Sequence, residues 1–318
     1  KMGRRLVATD LNDFAPRLGF AYSPTANWVF RTGVGVFYTQ DTGNPRFDMA
    51  RNLGGRGLFN SSREEPNSNL SDPWRFQRSN YVCTGWPGDC LGPPQVLGNI
   101  YGRRTPYLFQ WLFNVQRQLS QHTAFELGYQ GNSGHKLERL RTYNQAIQKT
   151  GPNDTRSIEQ RQPWPTYNRI QEVDNVVNSN YHALNVRLQQ NFARGLTYNL
   201  GFTWSKAIDG GSGIRTNSGD RLYPVDSYDL RREKGLSQFH QGRRMVASVI
   251  YELPFGEGKR FVGRTPVASK LLGGWQVGTI LTFADGSPKN VGSIGDTHSV
   301  GSLGNYPDAT GLPLIPEA

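Results

Sequence analysis

No stretch of this 318-residue sequence approaches the roughly 18 consecutive apolar residues that a membrane-spanning helix requires. That excludes helical spans only. A transmembrane β-strand needs about 9–11 residues, and only every second one faces lipid. Apolar residues are scarce throughout: 36% of the chain is hydrophobic and the mean hydropathy is −0.60. Cysteine is nearly absent, with only Cys83 and Cys90, separated by six residues in the Gly/Pro-rich stretch YVCTGWPGDCLG. A dense disulfide framework is therefore excluded. The pair reads as one small disulfide loop of an oxidising compartment, with two unpaired loop thiols as the alternative. Further ligands for zinc are missing nearby, and the five histidines are dispersed without a close metal pair. No metal or cofactor is expected. The start, KMGRRLVATDLNDFAPRLGF, lacks an apolar stretch after its basic residues and is not a secretory signal. The expectation is a removed signal or an excised piece.

The charge balance is 36 Lys+Arg against 25 Asp+Glu, net +11. A basic surface suits nucleic acid, anionic lipid or an acidic ligand. Here the cations are scattered and form no basic block, so no nucleic-acid partner is expected.

What the sequence does contain is alternation. In GLTYNLGFTWSKAID, residues 195–209, the large apolar residues Leu196, Tyr198, Leu200, Phe202 and Trp204 are separated by Thr197, Asn199, Gly201 and Thr203. A side-chain period of two marks a strand with one apolar and one polar face. The pattern recurs and predicts eight strands near residues 14–23, 28–40, 107–119, 123–131, 181–192, 196–206, 243–252 and 274–284. No convincing amphipathic helix competes. The connections alternate in length. Residues 24–27, 120–122 and 193–195 are tight turns, residues 41–105, 132–180 and 207–241 are long Gly-, Pro-, Asn- and Arg-rich stretches, and residues 253–273 are intermediate. Structureless connections beyond about 12–15 residues are uncommon in compact soluble domains. Short turns on one rim and long loops on the other fit an outer-membrane barrel. The fold class expected is therefore all-β: an antiparallel meander forming part of a transmembrane outer-membrane β-barrel with long extracellular loops.

In that architecture the aromatic faces meet lipid. Leu184, Val186, Leu188, Leu196, Tyr198, Leu200, Phe202 and Trp204 are expected to face lipid. Gln116, Glu126, Arg187, Gln189 and Asn199 are expected to face the lumen, with Glu126 and Arg187 able to pair across it. Tyr22, Trp28, Tyr38, Trp111, Tyr129, Trp204, Tyr251 and Trp275 mostly fall near strand ends, as interfacial girdles do.

At these residues the chain also resembles a known family. The segments FAPRLGFAYSP and WVFRTGVGVFY, YNQAI at 143–147, SNYHALNVRLQQNFARGLTYNLGFTWSKAID at 179–209, VIYELPFGEGKRF at 249–261 and LLGGWQVGTILTFADGSP at 271–288 occur in the order seen in TonB-dependent outer-membrane receptors of the Oar-like type. Those receptors often carry a carboxypeptidase-regulatory-like domain ahead of the plug. The resemblance implies a TonB box, a plug and a 22-stranded barrel that takes up a bulky nutrient (siderophore, glycan or peptide-like). It implies the TonB complex, outer-membrane lipid and an unidentified nutrient as partners, in the bacterial outer membrane. Where the family often has an Asp and an Arg-His pair, this chain has His240, Gly242 and Arg243. The sequence shows no plug or N-terminal domain, so residues 1–318 read as an internal piece of a receptor barrel or as a truncated reading frame.

Enzyme signatures are thin. GNSGH at 131–135 loosely matches a nucleophile motif but runs from a strand into a loop without a helix after it. GGSG at 210–213 is loop punctuation, since no helix follows to complete a phosphate cradle. No enzymatic activity is expected. The loop arginines Arg51, Arg56, Arg63, Arg75 and Arg78 are candidates for acidic glycans or phosphates against a solvated-loop reading. Two other functions stay open: a non-transporting surface barrel for adhesion or secretion, and a soluble all-β carbohydrate-binding module.

Overall fold

The computed structural model describes residues 8–39, 96–167, 170–213, 223–261, 266–292, 296 and 299–301. Cys83, Cys90 and the five loop arginines lie outside the described residues. The strands are β1 (Arg17–Thr25), β2 (Trp28–Tyr38), β3 (Val96–Asn99), β4 (Tyr107–Gln118), β5 (Thr123–Thr142), β6 (Ile170–Ala193), β7 (Leu196–Asp209), β8 (Gly235–Leu236), β9 (Arg243–Glu252) and β10 (Gln276–Ala284). They form one sheet in the order β1-β2-β4-β5-β6-β7-β9-β10, with β3 on β6 and β8 on β7. The main path is an antiparallel meander, as the alternation of short and long connections requires. Among the described residues, β1 and β10 each pair on one side only.

The turns follow local chemistry. Between β6 and β7 the chain reverses at Arg194 and Gly195, both at positive φ (53° and 77°), the combination a type I′ hairpin uses. Ser120 closes the β4–β5 turn, its hydroxyl accepting from the amides of His122 and Thr123 at 3.2 and 3.1 Å.

Three expectations need correction. Among the described residues the sheet has ten strands, not eight. β5 and β6 reach far past residues 131 and 181, into the stretch read from sequence as a loop. Register irregularities at 134–138, with Lys136 at φ 55°, break the period of two there. Leu137 and Leu140 fall three apart, so alternation cannot reveal the strand. The sheet is also not wholly antiparallel, because β3 pairs with β6 in parallel over Val96↔Ile170 to Asn99↔Val173. β7 pairs with β6 only from Ser179 onward, so the overhanging edge of β6 would otherwise expose unpaired backbone groups; β3 covers its first four residues, Ile170 to Val173. Among the described residues, helix is confined to one turn at Ile158–Arg161, the short Pro266–Leu272 helix and a 3₁₀ turn at Leu230–Glu233.

Only ten hydrophobic residues among those described are buried, while Phe20, Trp204, Ile280 and Phe283 are 64%, 62%, 75% and 61% exposed. The small buried cluster of Leu97, Leu140 and Val173, with Tyr223 against it, sits on the β5–β6 overhang. Among the described residues, the sheet proper has no second layer to bury its apolar face. Water-soluble proteins rarely tolerate a contiguous apolar surface of this kind.

Candidate functional site

Cross-strand register sorts the side chains of the sheet onto two faces, since directly opposite residues in an antiparallel pair share a face. One face carries the row Phe125, Leu188, Leu200, Ala247 and Leu281, with the parallel row Leu127, Val186, Phe202, Met245 and Phe283 beside it. Leu184 opposite Trp204 and Gln190 opposite Tyr198 lie on this face too, as does Leu196 opposite Tyr251. All eight residues read from sequence as lipid-facing therefore share one face.

Toward the long-loop end this face turns aromatic and polar. The rings of Tyr38 and Tyr107 lie 5.9 Å apart, Tyr107 stacks on His135 at 5.1 Å, and the Tyr129 hydroxyl is 2.7 Å from His182 Nδ1. Trp111 lies flat over Gly131, where an added Cβ would meet its ring at 2.5 Å. GNSGH is thus strand and not loop. Ser133 Oγ is 3.0 Å from His135 Nε2, but it donates to the Asn180 side-chain oxygen at 3.0 Å. Its neighbours' amides belong to the strand ladder, so no oxyanion donors converge there.

The opposite face is polar toward the turn end. Gln116, Glu126, Arg187 and Gly201 form one row, and Gln189, Asn199 and Ser248 form the next. All five residues expected on the lumen side therefore share this face. Three of the bonds on this face run diagonally and the fourth, between Thr203 and Asn185, runs straight across. Arg31 donates to Gln116 at 2.9 Å, Asn114 to Glu126 at 2.6 Å, Arg187 to Asn199 at 3.0 Å, and the Thr203 hydroxyl to Asn185 at 2.9 Å. The pairing expected between Glu126 and Arg187 is replaced by these bonds, although the two residues sit directly opposite. An amide neighbour on the adjacent strand satisfies each charge without drawing both side chains together.

Farther toward the loops the polar face changes character. Arg17, Gly35, Gln110, Asn132 and Tyr181 form one row across five strands. Gly19, Gly33, Leu112, Gln130 and Ala183 form the next. The glycines leave a depression of about 580 Å³ over these rows.

Beyond it, the β5–β6 overhang anchors three loop segments through buried polar side chains that periodicity does not reveal. Arg139 pairs with Glu233 at 2.7 Å, both side chains nearly inaccessible, and Glu233 also accepts from the Val225 amide at 2.8 Å. Arg103 pairs with Glu138. Arg141 and Tyr143 converge on Asp174 at 2.6 and 3.0 Å. Burial, and then the Asp174 charge, push the Tyr143 phenol up to about 12; burial with Asp226 raises Tyr228. Asn144 donates to the carbonyls of Trp164 and Tyr167 and accepts from the Trp164 amide. Gln145 clamps the backbone of Val225 and Ser227. Arg161 holds the carbonyls of Ile147 and Ser299, both at 2.6 Å. The one sequence signal for this clasp is YNQAI at 143–147, singled out by resemblance and not by pattern. At the site of departure from the resemblance, His240 accepts from the Ala207 amide at 3.2 Å. Gly242 leaves room for Asp285, which Arg243 grips through two bonds of 3.0 and 3.1 Å.

Comparison with solved structures finds the FrpB iron transporter from Neisseria meningitidis (F3-3 variant), 12% identical over 75% of this chain and 24% of that one, TM-score 0.37. The outer membrane transporter YddB from Escherichia coli is 11% identical over 71% and 24%, TM-score 0.41. The chain thus spans about a quarter of the length of these transporters. No curated protein matches it. A family model described as "Outer membrane beta barrel domain" matches residues 1–317, and the chain belongs to that family of bacterial outer-membrane proteins.

Proposed function

We propose that this chain supplies part of the barrel wall of a TonB-dependent receptor of the Oar-like type, which takes up a bulky nutrient across the outer membrane. The observation that carries the reading is the division of one single-layered sheet into a continuous apolar face and a polar face whose charges are matched by amides. In the proposed orientation the apolar face meets lipid and the polar face lines the lumen. Every backbone group in hydrocarbon must be paired, so the sheet edges at β1 and β10 require further strands in the assembled receptor. Outer-membrane lipid, the TonB complex and an unidentified nutrient are the partners in this reading. The clasped loops form an ordered outer mouth, the place where a receptor first meets its ligand.

The test is genetic and physical. Cells carrying the full-length receptor should lose growth on its nutrient when either the receptor gene or the TonB gene is deleted. Growth independent of both would overturn the reading and favour a surface barrel for adhesion or secretion.

A further inference from the structure

The polar face treats its side chains in two ways. Toward the turns Gln116, Glu126, Arg187 and Asn199 are each engaged by a neighbour. In the depression, Gln110, Gln130 and Asn132 have no hydrogen-bonding partner among the described residues, although they stand side by side on β4 and β5. Asn132 is half-buried, and an amide of that kind left without a partner is costly unless water or a ligand satisfies it; Gln110 and Gln130 are exposed and free to meet a ligand. The floor beside them is open at Gly19 and Gly33, while the Phe37 ring and the Arg17 side chain lie over Gly35. Gly33 and Gly35 on β2 and Gly19 on β1 present no side chains, and a Cβ at Gly33 would meet nothing nearer than the Leu18 carbonyl at 3.5 Å. At the upper wall Phe37 lies flat, with the Arg17 guanidinium 4.5 Å from its ring centroid. No carboxylate lines the depression.

We propose that this depression is a subsite for an acidic oligosaccharide, a sugar carrying a carboxylate of the uronic-acid kind. The inference rests on the uptake reading above and names its substrate class. The volume of about 580 Å³ lies within the range of about 300–1,000 Å³ usual for small-ligand sites. Each amide offers a donor and an acceptor together, which is what a sugar hydroxyl needs. A sugar ring lies flat on a glycine floor and presents its C–H face to Phe37 and Leu112. Arg17, preorganised by its stacking, offers a planar fork to a carboxylate. The alternatives fit less well. A phosphate-rich ligand calls for several cations, and one lines the depression. An extended peptide is captured through free main-chain groups, whereas β2, β4 and β5 are paired on both sides. A purely apolar ligand would leave three amides unsatisfied.

The experiment is calorimetric titration of the full-length receptor in detergent with a trimer of galacturonic acid and, as its carboxyl-free counterpart, a trimer of galactose. The acidic trimer should bind the tighter of the two. Arg17→Gln should weaken the acidic trimer about tenfold, the worth of one charge-assisted hydrogen bond, and leave the neutral trimer unchanged. Gly33→Leu should abolish binding of both by filling the floor. Gly19→Leu, where a Cβ meets only the Thr32 carbonyl at 3.9 Å, is the second filling variant, and heat-modifiable migration verifies that each variant is folded. No binding of the acidic trimer, equal binding by the filled variants, or displacement by a short polyglutamate peptide would each overturn the subsite. Nutrient-dependent growth separates the two ideas. Growth retained in Gly33→Leu defeats the subsite alone, while binding without TonB-dependent growth defeats the uptake reading alone.

Discussion

Leu200→Arg tests the orientation of the sheet most directly. Leu200 stands in the row Phe125, Leu188, Leu200, Ala247 and Leu281, flanked along β7 by Tyr198 and Phe202. Tyr198 and Trp204 bracket the apolar stretch of that strand, so Leu200 lies close to its middle. If this face meets lipid, a guanidinium there costs about 2–4 kcal/mol. The control must sit at the same depth on the other face. Asn199 is unsuitable because its side chain accepts from Arg187 at 3.0 Å, and a second arginine would repel the first. Gln189 is cleaner, since its direct neighbours are Ala124 and Asn199. Gln189→Arg should cost less than about 1 kcal/mol on a wet face. Both variants of the full-length protein would be refolded into lipid vesicles and titrated with guanidinium chloride. Equal costs at the two positions would refute the lipid-and-lumen assignment and point to a two-sided core.

Further outcomes follow from particular contacts. Glu233→Gln keeps the acceptor for the Val225 amide but strands the buried Arg139, so hydrogen exchange of residues 225–233 should accelerate by the equivalent of about 3–5 kcal/mol; unchanged protection would refute a clasp held by this pair. Tyr143 is raised to about 12 from 10.0. Its stabilising preference for the neutral phenol is complete below pH 10 and is lost as pH rises through 12. Ultraviolet titration should show late-titrating tyrosines, and Tyr143→Phe should remove one of them. Gly131→Val puts a branched side chain into the Trp111 ring and should cost about 1–3 kcal/mol by overpacking, with shifted tryptophan fluorescence; unaltered emission would refute the stacked geometry. Cys83 and Cys90 should resist alkylation until reduced, and quantitative labelling without reductant would remove the disulfide.

What the sequence made legible was whatever period two controls. β9 spans Arg243–Glu252, the predicted 243–252, and β2, β4 and β7 end within three residues of expectation, because lipid-length strands with one apolar face repeat a simple code. Legibility failed where the code stopped. Past Gly134 the irregular register separates Leu137 from Leu140 by three positions, and the side chains that stabilise the overhang are Arg139, Asp174, Asn144 and Gln145, which in sequence read as solvated loop. Their partners lie about 80 residues away in several cases, as between Gln145 and Val225. No local pattern encodes such pairs. The depression was invisible for another reason: its two rows draw single residues from β1, β2, β4, β5 and β6, and only the register aligns them.

The same two strands therefore carry two kinds of chemistry. Below the irregularity at Lys136, β5 and β6 are held mainly by their ladders, and their apolar side chains are left to the surroundings. Above it they behave as a water-soluble protein does, with Leu97, Leu140 and Val173 packed together and charges enclosed in pairs such as Arg139 with Glu233. A side chain chosen for lipid would leave the overhang without partners for its loops, and one chosen for the overhang would place charge in hydrocarbon. A change in register between the two segments releases each from the other's pattern. On the proposed orientation, the irregularity marks where the wall leaves the membrane, and the aromatic band of Tyr38, Tyr107, Trp111 and Tyr129 lies on the lipid side of that line. The depression opens just beneath it on the other face, between the clasped mouth and the matched polar rows, where a ligand passing inward would meet it before reaching the charges below.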